Sequence, residues 1–204
     1  DRQRGVDTFR ARDAAEDMLP SQTARILLEC NFRCPFCFAA WHEERKQPSA
    51  KVMNTSGRDW KGYMDKMRER GFERIVISGG DSLLLRPGQI RQIGITLLNI
   101  PTVRRIRFAT KGVAIMPMKF TSDTEWMDAL TEVCELGQAR MKEVALHTHF
   151  NTEREITAWT ASAMKSLSAT GVRVRNQSVL IHGVNDSFDH MRRTTKKLSS
   201  LLIQ

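Results

Sequence analysis

Short apolar runs and longer amphipathic stretches alternate along the chain. Runs rich in Ile, Val and Leu predict strands at 25–28, 74–78, 103–109, 143–148 and 172–181. Apolar residues at helical spacing predict helices at 59–70, 87–98, 122–136, 153–169 and 187–198, and residues 201–204 resemble the start of a sixth strand. Strands that alternate with helices indicate right-handed crossovers and an α/β fold with a parallel sheet. The charged residues 1–23 predict a short helix at 13–19 and a loop, which leaves 24–204 as one domain.

Composition and charge narrow the class of protein. The 204 residues, of which 41% are hydrophobic and 27% charged, suit a globular domain and argue against a fibre or a disordered chain. No apolar run approaches the roughly 20 residues that cross a bilayer, and no secretory signal is present, so the cytoplasm is the expected location. The net charge of +9 would suit an acidic partner, but the basic residues are spread along the chain, so charge alone does not indicate nucleic-acid binding.

Three of the four cysteines lie close together. Cys30, Cys34 and Cys37 have the spacing C-x3-C-x2-C, whereas Cys134 stands alone. This set is too clustered for a disulfide framework, and a structural zinc site would need a fourth ligand, for which His42 is the nearby candidate. Thiolates that leave one coordination position open suit an iron–sulfur centre. The spacing is compatible with either kind of metal site.

Polar residues follow the predicted strands at the point where each strand ends. The carboxyl ends of parallel strands meet at one edge of a sheet, and ligand sites collect at that edge. The residues placed there are Cys30, Gly79, Gly80, Asp81, Thr110, Lys111, His147, His149, Asn151, Asn176 and Gln177. The sequence therefore predicts a single binding site along this edge.

The cysteine spacing resembles the signature of the radical S-adenosylmethionine (SAM) family, in which an aromatic residue, here Phe36, precedes the third cysteine. The resemblance implies that Cys30, Cys34 and Cys37 bind three irons of a 4Fe-4S cluster and that SAM chelates the fourth iron. It also implies a partial (β/α)6-type TIM-like barrel of parallel strands, with about five strands in this chain and the sixth cut short. In this family SAM is cleaved reductively to a 5'-deoxyadenosyl radical that abstracts hydrogen from the substrate.

Four further stretches are similar to the lysine 2,3-aminomutase branch of that family. Residues 77–85 resemble I-S-G-G-D-P-L-L with Ser82 in place of the proline, and residues 106–121 resemble R-I-G-T-R followed by L-P-Q-R-I-T. Residues 148–157 match T-H-F-N followed by E-[LI]-T, and residues 176–186 are close to N-Q-S-V-L-L-R-G-V-N-D. The resemblance implies a 1,2-amino shift on an amino acid, with pyridoxal phosphate (PLP) as a second cofactor.

The resemblance also implies SAM-binding roles along the predicted edge. Backbone carbonyls and the Asp81 carboxylate would face the SAM ammonium, since glycine permits a close backbone approach; the residues are Ser78, Gly79, Gly80 and Asp81. Phe36 would lie near the adenine. The candidates for the SAM carboxylate and ribose are Arg107, Lys111, His149 and Gln177. The expected partners are an amino acid or amine substrate and an electron donor such as flavodoxin or ferredoxin; an oligomer of identical chains is open, and neither a membrane nor nucleic acid is expected.

Departures from the family pattern leave the substrate open. In the aminomutases the third cysteine is the first residue of the pattern C-T-R-R-R, and one of these arginines binds the substrate carboxylate. Here Phe38, Ala39 and Ala40 follow Cys37 instead. The family's PLP lysine would fall beyond Gln204, so PLP binding is open as well. The alternatives are a rearrangement or elimination on a non-lysine natural-product amine and, from another class, a zinc-stabilised nucleic-acid-binding module.

Overall fold

A computed structural model describes residues 21–25, 65, 68–69, 71–78 and 81–204. Its centre is a parallel five-stranded sheet in the order β1-β2-β3-β4-β5, so each strand pairs with the next one along the chain. The strands are β1 Ser21–Arg25, β2 Arg74–Ser78, β3 Arg105–Thr110, β4 Glu143–Thr148 and β5 Arg173–Asn176. This open parallel sheet confirms the predicted α/β fold class and is consistent with a partial barrel.

Helices connect the strands from β2 onward. They are α1 Pro87–Leu98, α2 Gly112–Ile115, α3 Lys119–Ser122, α4 Thr124–Ala139, α5 Ala158–Ala169 and α6 Phe188–Ser200, with 3-10 turns at Ser82–Leu84 and Glu153–Glu155. Side chains fix where the longer helices begin: Asp123 accepts a hydrogen bond from the Trp126 amide at α4, and Ser187 accepts one from the His190 amide at α6. These bonds satisfy amide groups that the first helical turn leaves without a partner.

One face of the sheet packs against the helices. Alternate strand residues such as Ile77, Phe108 and Leu146 are fully buried and belong to one apolar cluster with α1 and α4 residues. Gly137 of α4 lies so close to Val144 of β4 that an added Cβ would meet the valine side chain at 2.8 Å. The core therefore lies between this face and the helices.

The opposite face of the sheet is charged. Because successive strand residues point to opposite sides, the residues between the buried ones share this second face. We call it the polar face; its charged or ionisable members are Arg74, Arg105, Arg107, Glu143, His147, Arg173 and Arg175. The polar face provides a surface beside the strand ends that the apolar layer does not cover.

Several element boundaries differ from the sequence prediction. The first described strand is Ser21–Arg25, which shares only Arg25 with the predicted strand 25–28 and crosses the expected boundary after residue 23. The predicted helix at 13–19 lies outside the described residues. Strand β3 begins two residues later than predicted, and β5 ends at Asn176 instead of residue 181.

The end of the chain continues the sheet. The Gln204 amide donates to the Val174 carbonyl at 3.1 Å, and the Asn176 amide donates to the Gln204 carbonyl at 2.6 Å. This is the hydrogen-bond pattern of a parallel pair, and it places Gln204 opposite Arg175. Residues 201–204 do not form the expected sixth strand, since a turn occupies 201–202; Gln204 alone makes this pairing with β5.

Within the described residues, no helix combines the length and the apolar character that crossing a bilayer requires.

Candidate functional site

The carboxyl ends of β2 to β5 lie side by side and form the edge that the sequence predicts. Ser78 is the last residue of β2, Lys111 follows β3, His149 follows β4 and Gln177 follows β5. The structure therefore brings four of the predicted SAM-binding residues to one edge. Asp81 and Arg107 are also described and are treated below. The remaining candidates lie outside the described residues: Cys30, Cys34, Cys37, Phe36, Gly79 and Gly80.

Asp81 joins the loop after β2 to the end of β3. Its carboxylate accepts hydrogen bonds from the Leu83 amide at 2.8 Å, from the Lys111 amide at 2.8 Å and from the Thr110 hydroxyl. The residue is 4% exposed, and burial raises the pKa of its carboxyl group although these hydrogen bonds oppose the change. Both oxygens of Asp81 are thus engaged in shaping the loop. Backbone carbonyls are left as the groups of this segment that could face an ammonium.

Lys111 is part of an ion pair at the same edge. Its Nζ donates to Glu155 Oε1 at 2.9 Å and to the His149 carbonyl at 2.9 Å, while Glu155 Oε2 accepts from the Asn151 amide at 2.6 Å. Only 11% of the Lys111 side chain is exposed. Lys111 and Glu155 therefore fasten β3 to the loop after β4. The positive charge of Lys111, which was expected to bind the SAM carboxylate, is already balanced by Glu155.

His149 and Gln177 form a direct pair. His149 Nδ1 lies 3.0 Å from the Gln177 carbonyl oxygen, which can only accept, so Nδ1 carries the proton. Burial lowers the pKa of His149, which makes the imidazole neutral at neutral pH and leaves the Nε2 lone pair as an acceptor. The Gln177 side chain is exposed at this edge. An acceptor nitrogen beside an exposed amide fits the hydroxyl groups of a ribose.

An amide network that sequence reasoning missed holds the loop of residues 177–185 in place. Asn185, fully buried, donates through Nδ2 to the Asn151 and Val179 carbonyls at 2.9 Å each, and its Oδ1 accepts from the Ile181 amide at 2.7 Å. Asn151 Oδ1 accepts from the Val179 amide at 2.9 Å. The signal was present, since both asparagines belong to stretches that resemble the aminomutases, but their contacts give them a structural role.

Asn176 connects the ends of β4 and β5 in the same way. Its Oδ1 accepts from the Phe150 amide at 2.7 Å, and its Nδ2 donates to the Phe150 carbonyl at 3.0 Å. Together with the Thr148 carbonyl, which accepts from the Gln177 amide at 2.9 Å, these bonds set the position of Gln177 against His149. The ends of β4 and β5 therefore hold the His149–Gln177 pair in place.

Arg107 lies deeper than the other candidates. It stands opposite Val76 and Ala145 on the polar face, about 10 Å along β3 from Thr110 at a rise of roughly 3.3 Å per residue. Its surroundings are the charges of the polar face: burial lowers the pKa of its guanidinium, as does the neighbouring Arg175, while Glu143 opposes the change. The structure thus separates Arg107 from Lys111 and groups it with Arg175.

Cys134 takes no part in this edge. The residue is buried on α4, where its Sγ lies 3.8 Å from the Val144 carbonyl, and burial raises the pKa of the thiol to about 12. A thiol that stays protonated is neither a good nucleophile nor a ready metal ligand. Within the described residues, no group of three or more His, Cys, Asp or Glu side chains is arranged to hold a metal ion.

The family of the chain follows from a comparison of the whole sequence with family models. The model of the radical SAM superfamily matches residues 26–195, which include the three clustered cysteines and every strand from β2 onward. The chain belongs to the radical SAM superfamily.

Curated relatives identify the branch that the chain resembles. The L-lysine 2,3-aminomutase of Haemophilus influenzae is 28% identical over 83% of this chain and 46% of its own length. The L-lysine 2,3-aminomutase of Bacillus subtilis is 29% identical over 86% of the chain and 34% of its own length, and the glutamate 2,3-aminomutase of Clostridioides difficile is 27% identical over 86% and 38%. The chain therefore spans less than half the length of these relatives.

Membership of the superfamily implies a 4Fe-4S cluster and SAM. The donor set fits the cluster, because the thiolates of Cys30, Cys34 and Cys37 would leave one iron open to SAM. The edge fits SAM, because His149 Nε2 and the Gln177 amide are available to hydroxyl groups there.

Proposed function

We propose that the chain is the cofactor-binding part of a radical SAM enzyme that acts on an amino acid or amine, with a 2,3-aminomutase-type amino shift as its reaction. The observation that carries the proposal is the His149–Gln177 pair at the carboxyl edge of a radical SAM sheet, in a chain similar to lysine and glutamate 2,3-aminomutases. The superfamily match favours this function over the zinc-stabilised nucleic-acid-binding module.

The chain's own residues would bind and orient the cofactors. Cys30, Cys34 and Cys37 would hold the cluster, and His149 and Gln177 would orient the ribose of SAM. When bound to a reduced cluster, SAM supplies a carbon radical that can remove a hydrogen atom from a substrate. An electron donor such as flavodoxin or ferredoxin, PLP as a second cofactor and a cytoplasmic location complete the proposal.

The proposal is tested by anaerobic reconstitution with iron and sulfide, reduction with dithionite in the presence of SAM, and chromatography for 5'-deoxyadenosine. We expect 5'-deoxyadenosine from the unmodified chain and none from Cys34→Ala. Cys134→Ala is the matched control, because Cys134 is buried away from the edge and should leave the yield unchanged. A colourless protein that binds one zinc and leaves SAM intact would overturn the proposal.

A second pair of variants tests the ribose contact. His149→Phe keeps an aromatic ring but removes both ring nitrogens, so we expect the Kd for SAM to rise about tenfold, as the loss of a hydrogen bond to a bound ligand predicts. His182→Phe is the control, since the His182 side chain is fully exposed and its partner among the described residues is Asp186. Equal SAM affinity in the two variants would contradict the assignment of His149.

The substrate is tested by turnover with lysine, glutamate and arginine. The stretch that follows Cys37 lacks the arginines of the aminomutases, so we favour a substrate other than free lysine, including a natural-product amine. Rapid formation of a β-amino acid from free lysine would refute that preference and leave the radical SAM assignment intact.

A further inference from the structure

The polar face carries more positive than negative charge where β3, β4 and β5 meet. Glu143 is the carboxylate there, and it pairs with Arg175 Nη2 at 2.6 Å and with Arg105 Nε at 3.4 Å. Arg107 also faces this group, and no carboxylate within the described residues forms an ion pair with it. One acid is thus shared among three guanidinium groups. Among the described residues this group carries about two more positive than negative charges, and an anion would balance them.

Buried polar atoms in the same place have no partner. Arg175 Nε and His147 Nδ1 are both buried, and neither makes a hydrogen bond to any residue that the structure describes. His147 is only 7% exposed, and it stands directly opposite Arg175 in the register of β4 and β5. Glu143 Oε1 likewise has no hydrogen-bond partner among the described residues. Buried polar groups are normally satisfied, so unpartnered nitrogens on adjacent strands favour a ligand that contacts both.

The unsatisfied nitrogens lie next to the edge that would bind SAM. The ring centres of His147 and His149 are 6.0 Å apart, and the two rings are inclined by only 23°. His147 is two residues before His149 on the chain, so its side chain occupies the next position inward on the polar face. A group bound by His147 and Arg175 would therefore sit directly beneath the proposed ribose contact.

We propose that Arg107, Arg175 and His147 form a site that binds an anionic group, the carboxylate of the substrate or the phosphate of PLP. The guanidinium groups supply charge and paired donors, and the imidazole supplies a further polar contact. This site takes the place of the arginine-rich stretch that is missing after Cys37. That the anion belongs to the substrate or to PLP rests on the proposed function, whereas the anion site itself rests on the geometry of the polar face.

Two pairs of probes differ only in the anionic group. Succinate and succinamide test for a carboxylate, and pyridoxine 5'-phosphate and pyridoxine test for a phosphate without an aldehyde that could react with lysines. Binding to the full chain is measured by isothermal titration calorimetry. We expect the anionic member of at least one pair to bind about tenfold more tightly than its neutral partner. The pair that shows the difference identifies the source of the anion.

Substitutions then test the residues. Arg175→Gln should weaken binding of the anionic probe about tenfold and leave the neutral probe unchanged. Arg192→Gln removes the same charge from the exposed surface of α6 and should leave both probes unchanged. Equal losses in the two variants would indicate a general charge effect and overturn the proposal, as would anionic and neutral probes that bind alike.

One further variant is expected to bind the anionic probe more tightly, a result that misfolding would not produce. Glu143→Gln removes the acid that competes for Arg175 and Arg105, so the anionic probe should bind several-fold more tightly. Weaker or unchanged binding would refute the anion site. These titrations need neither the cluster nor SAM, so they can fail while 5'-deoxyadenosine forms, or succeed while it does not.

Discussion

Replacing Asn185 with alanine should destabilise the folded chain and disturb the edge together. The substitution removes three hydrogen bonds, which join the Asn185 amide to the Asn151 carbonyl, the Val179 carbonyl and the Ile181 amide. The Asn151 carbonyl is left buried without a hydrogen bond, at a cost of about 1–3 kcal/mol. The Val179 carbonyl and the Ile181 amide can bond to water instead, so the loss of each of these bonds costs about 0.5–1 kcal/mol. The expected loss in the free energy of unfolding is about 3 kcal/mol.

The assay is equilibrium unfolding in urea, followed by a SAM titration of the folded variant. Asn99→Ala is the matched control: Asn99 is exposed and accepts one bond, from Arg140 Nη1 at 2.7 Å, so its loss should stay within about 0.5 kcal/mol. The loop that Asn185 fastens begins at Gln177, so we also expect weaker SAM binding in Asn185→Ala. A free energy of unfolding equal to that of Asn99→Ala would refute the role assigned to the network.

Asn185→Asp separates hydrogen bonding from shape. Aspartate keeps the oxygen that accepts from the Ile181 amide but turns an oxygen toward the Asn151 and Val179 carbonyls, where asparagine has two donors. At neutral pH the variant should be at least as unstable as Asn185→Ala. A variant as stable as the unmodified chain would show that the side-chain amide does not donate to these carbonyls.

Three other substitutions test packing, backbone conformation and titration. Gly94→Ala should lose about 1–3 kcal/mol of folding stability, because the added Cβ would clash with the Val133 side chain. Gly88→Ala on the same helix meets nothing within 4 Å and should gain slightly, and thermal unfolding compares the two variants. Met141→Gly should gain up to about 1 kcal/mol in urea unfolding, since Met141 has a φ of 56° and is 89% exposed, so strain is relieved and little packing is lost. Burial lowers the pKa of His147 from 6.5 to about 4, so between these values the unfolded chain takes up a proton that the folded chain does not. Stability should therefore fall by about 2 kcal/mol between pH 7.5 and pH 5, and His147→Gln should remove most of that loss.

Hydrophobic periodicity predicted the elements whose ends carry a local signal. The predicted bounds of α1 and β4 agree with the structure, and Pro87 marks the start of α1 as its fixed φ favours. Gly171, with a φ of 73°, ends α5 as expected. Helix α4 instead runs three residues past its predicted end and stops at the left-handed Met141, a conformation for which a methionine gives no signal in sequence.

The overlong prediction for β5 has a different cause. Val179, Leu180 and Ile181 are apolar and β-prone, so they extend the strand pattern past Asn176. In the structure the Val179 and Ile181 amides bond to the side chains of asparagines that lie up to 28 residues away. Side-chain acceptors take the place of a neighbouring strand, and such a long-range partner cannot be inferred from local propensity.

The candidate edge was predictable as a location but less so in its details. Parallel topology alone placed Lys111, His149 and Gln177 together. The ion pair of Lys111 joins it to Glu155, which is 44 residues further along the chain, and no local pattern relates the two. The positive charge of Lys111 suggested that it binds the SAM carboxylate. In the structure Lys111 instead pairs with Glu155 and fastens the loop after β4.

The alternation of charged and apolar residues along β3 and β5 supports the proposed anion site. Parallel strands covered by apolar layers on both faces are near-continuous hydrophobic runs. Here Arg105–Thr110 begins Arg-Ile-Arg-Phe, and Arg173–Asn176 reads Arg-Val-Arg-Asn. The arginines occupy every second position, and the apolar residues between them, Ile106, Phe108 and Val174, are buried. A face that keeps arginines against a parallel sheet does not pack on an apolar layer. Within the described residues Glu143 alone cannot balance the guanidinium groups that surround it, which supports a ligand as a further counterion. The same face ends at His149, so the charge imbalance and the proposed SAM contact lie on one continuous surface.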